Sequence, residues 1–121
     1  MFVNMTPHPV NLLTTEGEEI ATFPSEGTIR LDKFSIQIGS LNVNDHEVDL
    51  LFSAFNPSDD IPEPVEGTMF IVSALVANAY PERTDFVMVE NTVRDDNGRI
   101  IGCTAFASVT NITKTQVYAE E

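Results

Sequence analysis

A mainly β, α+β domain with a small, mostly antiparallel sheet and one short helix is the fold class that this sequence predicts. Three observations carry that expectation. Short apolar runs rich in Val, Ile and Phe recur along the chain, punctuated by Gly, Pro, Asn and Asp. Asp96-Asn97-Gly98 sits between two such runs and reads as a tight hairpin turn with positive φ at both Asn and Gly. Only one segment, residues 74–80, follows a good helix N-cap (Ser73) and ends at a proline (Pro81).

In chain order, residues 9–15 read as a strand, Glu16-Gly17-Glu18 as a turn and residues 19–23 as the returning strand. Residues 28–38 alternate, with a slip of phase at Asp32-Lys33 that suggests a bulge or tight turn. Residues 39–45 are polar and turn-like, and residues 47–55 read as a further strand. Three prolines and no helical period make residues 56–67 an extended loop. Residues 68–72 suit a buried central strand, which turns at Ser73 into the helix. Residues 86–90 and 100–109 complete the strands. All 121 residues are expected to form one domain, with the polar tail 110–121 peripheral.

Cys103 is the only cysteine, which excludes an intramolecular disulfide. The first residues lack a basic and an apolar stretch, and no apolar run approaches the roughly 20 residues that span a bilayer. The expected location is therefore cytoplasmic, with no membrane partner. The net charge is −13, from 19 acids against 6 Lys and Arg, so direct binding to nucleic acid is disfavoured. From Asp45 to Glu66 there are seven acids and no Lys or Arg. Such a stretch either keeps the surface soluble or attracts a basic protein, imitating a phosphate backbone.

Several chemistries find no support. A zinc site needs about four ligands, and the chain holds two His and one Cys. Asp95-Asp96-Asn97-Gly98 fails the calcium-loop spacing, whose first acid would fall on Val93. Ser73 lacks the flanking glycines of a nucleophile elbow, and Cys103 lies in an apolar strand. No catalytic residue, cofactor or metal is expected. Two sets of residues remain. Arg83, Arg94 and Arg99 lie close in sequence to the Ser73 turn, and the last two flank the hairpin turn. Arg94 and Arg99 with Ser73 form a candidate anion site. The competing reading pairs these arginines with Asp85, Asp95 and Asp96 as surface ion pairs. His8, held between Pro7 and Pro9, is a candidate for general acid–base chemistry or for stacking on a base, against the commoner role of a sheet-edge cap.

Three segments, Asn4-x-Thr6-Pro7-His8, Gly67-Thr68-x-Phe70-Ile71-Val72-Ser73 and Arg94-Asp95-Asp96-Asn97-Gly98-Arg99-Ile100-Ile101-Gly102, resemble a group of small bacterial and phage-encoded proteins with no assigned activity. That resemblance implies a phage setting, in which a small protein inhibits a host defence protein or sequesters its nucleotide signal. The expected function is non-catalytic binding of a small anionic, nucleotide-like ligand through His8, Ser73, Arg94 and Arg99. The alternative is an acidic inhibitor that blocks a basic host protein. A homo-oligomer is expected in either case, because exposed strand edges in a small sheet favour pairing between copies.

Overall fold

The fold was read from a computed structural model, which describes residues 1–56 and 58–110. The chain divides into two compact units, one of Arg30–Asp59 and one of Met1–Ile29 with the described residues from Asp60 on. Its elements in order are β1 (Phe2–Asn4), β2 (Val10–Leu13), β3 (Glu19–Phe23), β4 (Asp32–Val43), β5 (His46–Asn56), β6 (Met69–Ile71), α1 (Ala74–Ala79), β7 (Phe86–Arg94) and β8 (Ile100–Ala107). The chain is mainly β with one short helix. The tail from residue 111 on lies outside the described residues.

The larger unit carries a six-stranded sheet in the order β1-β6-β7-β8-β2-β3. Only two of its ladders, β7 with β8 and β2 with β3, run antiparallel. The ladders β1 with β6, β6 with β7 and β2 with β8 are parallel, so the sheet is mixed and the expectation of a mostly antiparallel sheet holds only in part. The reason lies in the connection between β6 and β7. A strand that leaves its sheet through a helix and re-enters beside itself must run parallel to its starting direction. Helix α1 makes that crossover. Its Ser73 cap accepts a hydrogen bond from Val76 N at 3.2 Å, as the sequence predicts.

The sheet's two edge strands meet. Asn4 of β1 bridges Ser25, just beyond β3, in parallel fashion, and Glu26 N donates to the Asn4 carbonyl at 2.8 Å. The sheet therefore nearly closes into a barrel. Val10, Met69, Ile71, Val87 and Cys103 are buried together, flanked by Phe2, Phe23 and Phe106, whose ring centroids lie 5.6–6.5 Å apart. On the other side of β6, Phe70 packs edge-on against Phe86, which Tyr80 also contacts. Every residue of β6 is buried, which explains its unbroken apolar run.

Asn4 is fully buried and is the polar centre of this seam. Its Nδ2 donates to the carbonyls of His8 (2.8 Å) and Phe23 (2.9 Å). Its Oδ1 accepts from Thr6 N (2.9 Å) and Thr6 Oγ1 (2.7 Å). Reversing the amide would set donor against donor and acceptor against acceptor, so the network fixes its orientation. One carboxamide thus ties β1 to the end of β3 and folds the Thr6–His8 loop over both.

The smaller unit is a two-stranded ribbon of β4 and β5. Its tip is a two-residue turn, Asn44-Asp45, with positive φ at both positions (49° and 69°). Residues 39–43, expected in a polar turn, continue the strand instead, because Asn44 and Asp45 supply the whole reversal. The expected irregularity at Asp32-Lys33 is also displaced. The register shifts between Gln37 and Gly39. That bulge conserves sidedness. Without it the apolar positions Phe34 and Ile36 would fall out of phase with Leu41 and Val43. With it, Ile36 lies opposite Phe52 and Leu41 opposite Val48 on one face, while Ser35 meets Ser53 and Gln37 meets Asp49 on the other.

Removing the Asn4 carboxamide takes the acceptor from the part-buried Thr6 N–H and a donor from the carbonyls of Phe23 and His8, of which the last keeps Thr6 Oγ1 at 3.0 Å. At roughly 1–3 kcal/mol for a polar group left without its partner, Asn4→Ala should cost about 3 kcal/mol in urea unfolding, and a loss below about 1 kcal/mol would show that the seam closes without it.

Candidate functional site

The larger unit contains a cleft of about 460 Å³. Its floor and walls come from four places in the chain: the Thr6–Asn11 segment entering β2, the β6–α1 turn at Val72–Ala74, the middle of β7 and the start of β8. The walls are mostly apolar, with Val10, Met88, Val89 and Ile101 among them. This size lies within the range of roughly 300–1,000 Å³ typical of small-molecule sites.

The polar groups at the cleft are few and have distinct duties. Thr6 is held by Asn4, and Asn11 bridges the strands, donating to the Ile101 carbonyl (3.1 Å) and accepting from Thr22 Oγ1 (3.1 Å). Ser73 Oγ accepts from Val76 N as the helix cap, which leaves its hydroxyl proton for a ligand. The His8 side chain is exposed at the cleft and makes no hydrogen bond among the described residues. The Asn4 hydrogen bond to the His8 carbonyl fixes the backbone from which that ring projects.

Gly102 makes the cleft possible where β8 approaches β2. A Cβ there would lie 2.7 Å from Leu13 Cδ1 and 2.8 Å from the Asn11 carbonyl oxygen. No side chain fits without separating the two strands.

The structure brings His8 and Ser73 to one cleft and leaves Arg94 and Arg99 out of its lining. Arg94 Nη1 donates to the Gly98 carbonyl at 2.7 Å, bracing the β7–β8 turn. Arg99 is exposed at that turn. The turn itself differs from the expected one. Gly98 has positive φ and Asn97 does not, because the Asp95 carboxylate accepts from Asn97 N (2.9 Å) and Arg99 N (3.0 Å) and shapes a wider loop. Arg83 follows the structural reading. It forms a two-pronged pair with Asp85 at 2.8 Å, and its guanidinium lies 4.2 Å from the Phe86 ring centre. His46 is exposed on the ribbon at the end of the Asn44-Asp45 turn.

Sequence reasoning missed Thr92, Met88 and Ile100 as lining residues. They come together only through strand register, which no local spacing announces. Among the described residues no group of three or more His, Cys, Asp or Glu is placed to hold a metal ion. No helix among them is long and apolar enough to cross a membrane. No protein-family model matches the chain, and neither a curated protein nor a solved structure matches it.

Cys103 lines the inner end of the cleft but is 2% exposed. Burial pushes its thiol pKa up, and backbone hydrogen bonds at Ala105 and Glu90 offset this only in part. A raised pKa lowers the thiolate population at pH 8 relative to a free cysteine, the reverse of what a nucleophile needs. Iodoacetamide at pH 8 should therefore label the native protein at least about tenfold more slowly than the urea-unfolded chain. Equal rates would mean that the thiol is open to solvent.

Proposed function

We propose that the chain is a non-catalytic binding protein, and that its cleft takes a small, uncharged, flat molecule with one polar edge. The observation that carries this reading is the composition of the cleft lining, which is apolar walls with three available polar side chains, His8, Ser73 and Thr92, and no Lys or Arg. Apolar walls favour a ligand with an aromatic or aliphatic body, and a few polar groups orient it. The chain's net charge of −13 acts against an anion approaching it. A nucleoside base fits this description better than its phosphates do, so Arg94 and Arg99 stand outside the reading. The likeness of its motifs to phage-encoded proteins adds a setting, in which capture without turnover removes a signal from a host response.

The test is a methyl-NMR screen observed at Met88, which lines the cleft, with adenosine and AMP as the paired probes and Met1, at the far end of β1, as the remote control. Adenosine should shift the Met88 signal and leave Met1 unchanged, and filling the cleft by Ala74→Trp should weaken it at least tenfold. AMP binding tenfold tighter than adenosine, and lost in Arg94→Ala with Arg99→Ala, would restore the anion site expected from the sequence. No Met88 response to either probe or to other uncharged heteroaromatics would remove the reading.

A second reading rests on a separate observation. All seven carboxylates between Asp45 and Glu66 are exposed. Exposed carboxylates with no Lys or Arg near them in sequence suit a basic protein partner, and binding through them should fall steeply as salt is raised, since exposed charges are screened beyond about 8 Å at physiological ionic strength. Affinity for a basic test protein that stays constant between 50 and roughly 500 mM salt would exclude this reading.

A further inference from the structure

We infer that the β4–β5 ribbon is a homodimerisation element, with its apolar face packed against the same face of a second copy. The inference starts from what the ribbon lacks. A two-stranded hairpin is marginally stable by itself in water, and it needs further strands or a covering surface to persist. This one runs 12 and 11 residues and sorts most of its side chains by polarity, with Leu51 and Phe55 the exceptions on the polar face. Ile36, Leu41, Val43, Val48, Leu50 and Phe52 share one face, and each is between 38% and 55% exposed. Ile38, the extra residue at the bulge, is 62% exposed. A bulge that keeps an apolar stripe in phase makes no sense on a strand whose two faces both meet water.

The area favours a dimer. At roughly 90 Å² for each of these seven side chains, the stripe offers about 630 Å² per copy, approaching the roughly 800 Å² that each partner buries in a stable specific interface. Isolated exposed apolar residues are ordinary, but a continuous patch of this size marks an interaction surface.

Two further points select a second copy as the occupant. First, the ribbon needs cover whenever the chain is present, and the partner always available at that moment is the chain itself. Second, the charges agree. The carboxylates of Glu47 and Asp49 lie on the polar face, so two copies of a chain with net charge −13 can meet here without opposing them. On the apolar face, Asp32 stands at one end and His46 at the other. A two-fold arrangement with the ribbons antiparallel sets Asp32 of each copy beside His46 of the other. Isologous packing of this kind is closed and forms a four-stranded sandwich core.

Sedimentation of the full chain between about 5 and 100 µM should give the mass of a dimer, at subunit concentrations where specific dimers of this area are populated. Leu50→Glu with Phe52→Glu should weaken association at least a hundredfold, while Ser53→Glu on the polar face should leave it unchanged. If the double variant does not fold, Leu50→Cys provides the alternative, since mild oxidation should yield a disulfide-linked dimer and Ser53→Cys should not. A monomer at the highest concentration overturns the inference. So does a dimer insensitive to Leu50→Glu with Phe52→Glu and not cross-linked through Leu50→Cys. A chain that is monomeric alone and pairs only with a different protein overturns it as well.

Discussion

The barrel-like unit depends on one buried carboxamide. A closed or nearly closed sheet must join its first and last strands, and here those strands are short. β1 has three residues, and its contact with the chain after β3 is a single bridge. Backbone pairing at such a seam is thin. Asn4 supplements it with four hydrogen bonds that use every donor and acceptor of its side chain. No buried side-chain nitrogen or oxygen among the described residues lacks a partner, so the seam carries no unpaired polar group to weaken it. The same bonds set the path of the Thr6–His8 loop, and therefore where His8 stands over the cleft. Closure of the sheet and placement of the site are one constraint.

Much of the strand pattern was legible because apolar runs and turn residues are local signals. The strand at residues 19–23, the Ser73 cap and the buried run at 68–72 appear where composition put them. Other features were present in the sequence but differently weighted. A buried strand, a capped helix and a second apolar strand in succession form a parallel crossover unit, and residues 68–94 contain all three in order. In the Asn4-x-Thr6-Pro7-His8 segment only His8 reads as a ligand feature, yet Asn4 and Thr6 hold the fold together there, and Thr6 lines the cleft with His8. Arg94 shows the same division, since its guanidinium braces a turn that its position seemed to offer to a ligand. The cleft's remaining wall was hidden because Met88, Thr92 and Ile100 meet through the register of β7 and β8, a property of three-dimensional pairing.

The two units answer opposite chemical demands. The cleft is apolar and lies in a unit whose core is closed, so its emptiness of cations is a local property and not a lack of polar residues overall. The ribbon sets Glu47 and Asp49 on one face and most of its aliphatic groups on the other. A chain this acidic gains solubility from self-repulsion, and it keeps specific contact only where charge is absent. Both the cleft and the apolar stripe are such places.

The strand order carries a kinetic consequence. β1 pairs with β6 and β2 with β8, so these two strands bond to segments synthesised some 65 and 90 residues after them. The ribbon, by contrast, closes through a two-residue turn and can form as soon as Asn56 has emerged. Loop-closure entropy makes such distant pairings slow, on the order of milliseconds to seconds for domains dominated by them. During translation the apolar stripe is therefore complete and in water while the barrel's partners for β1 and β2 are still unmade. On a polysome, neighbouring nascent chains bring such stripes within reach of each other before either chain has finished.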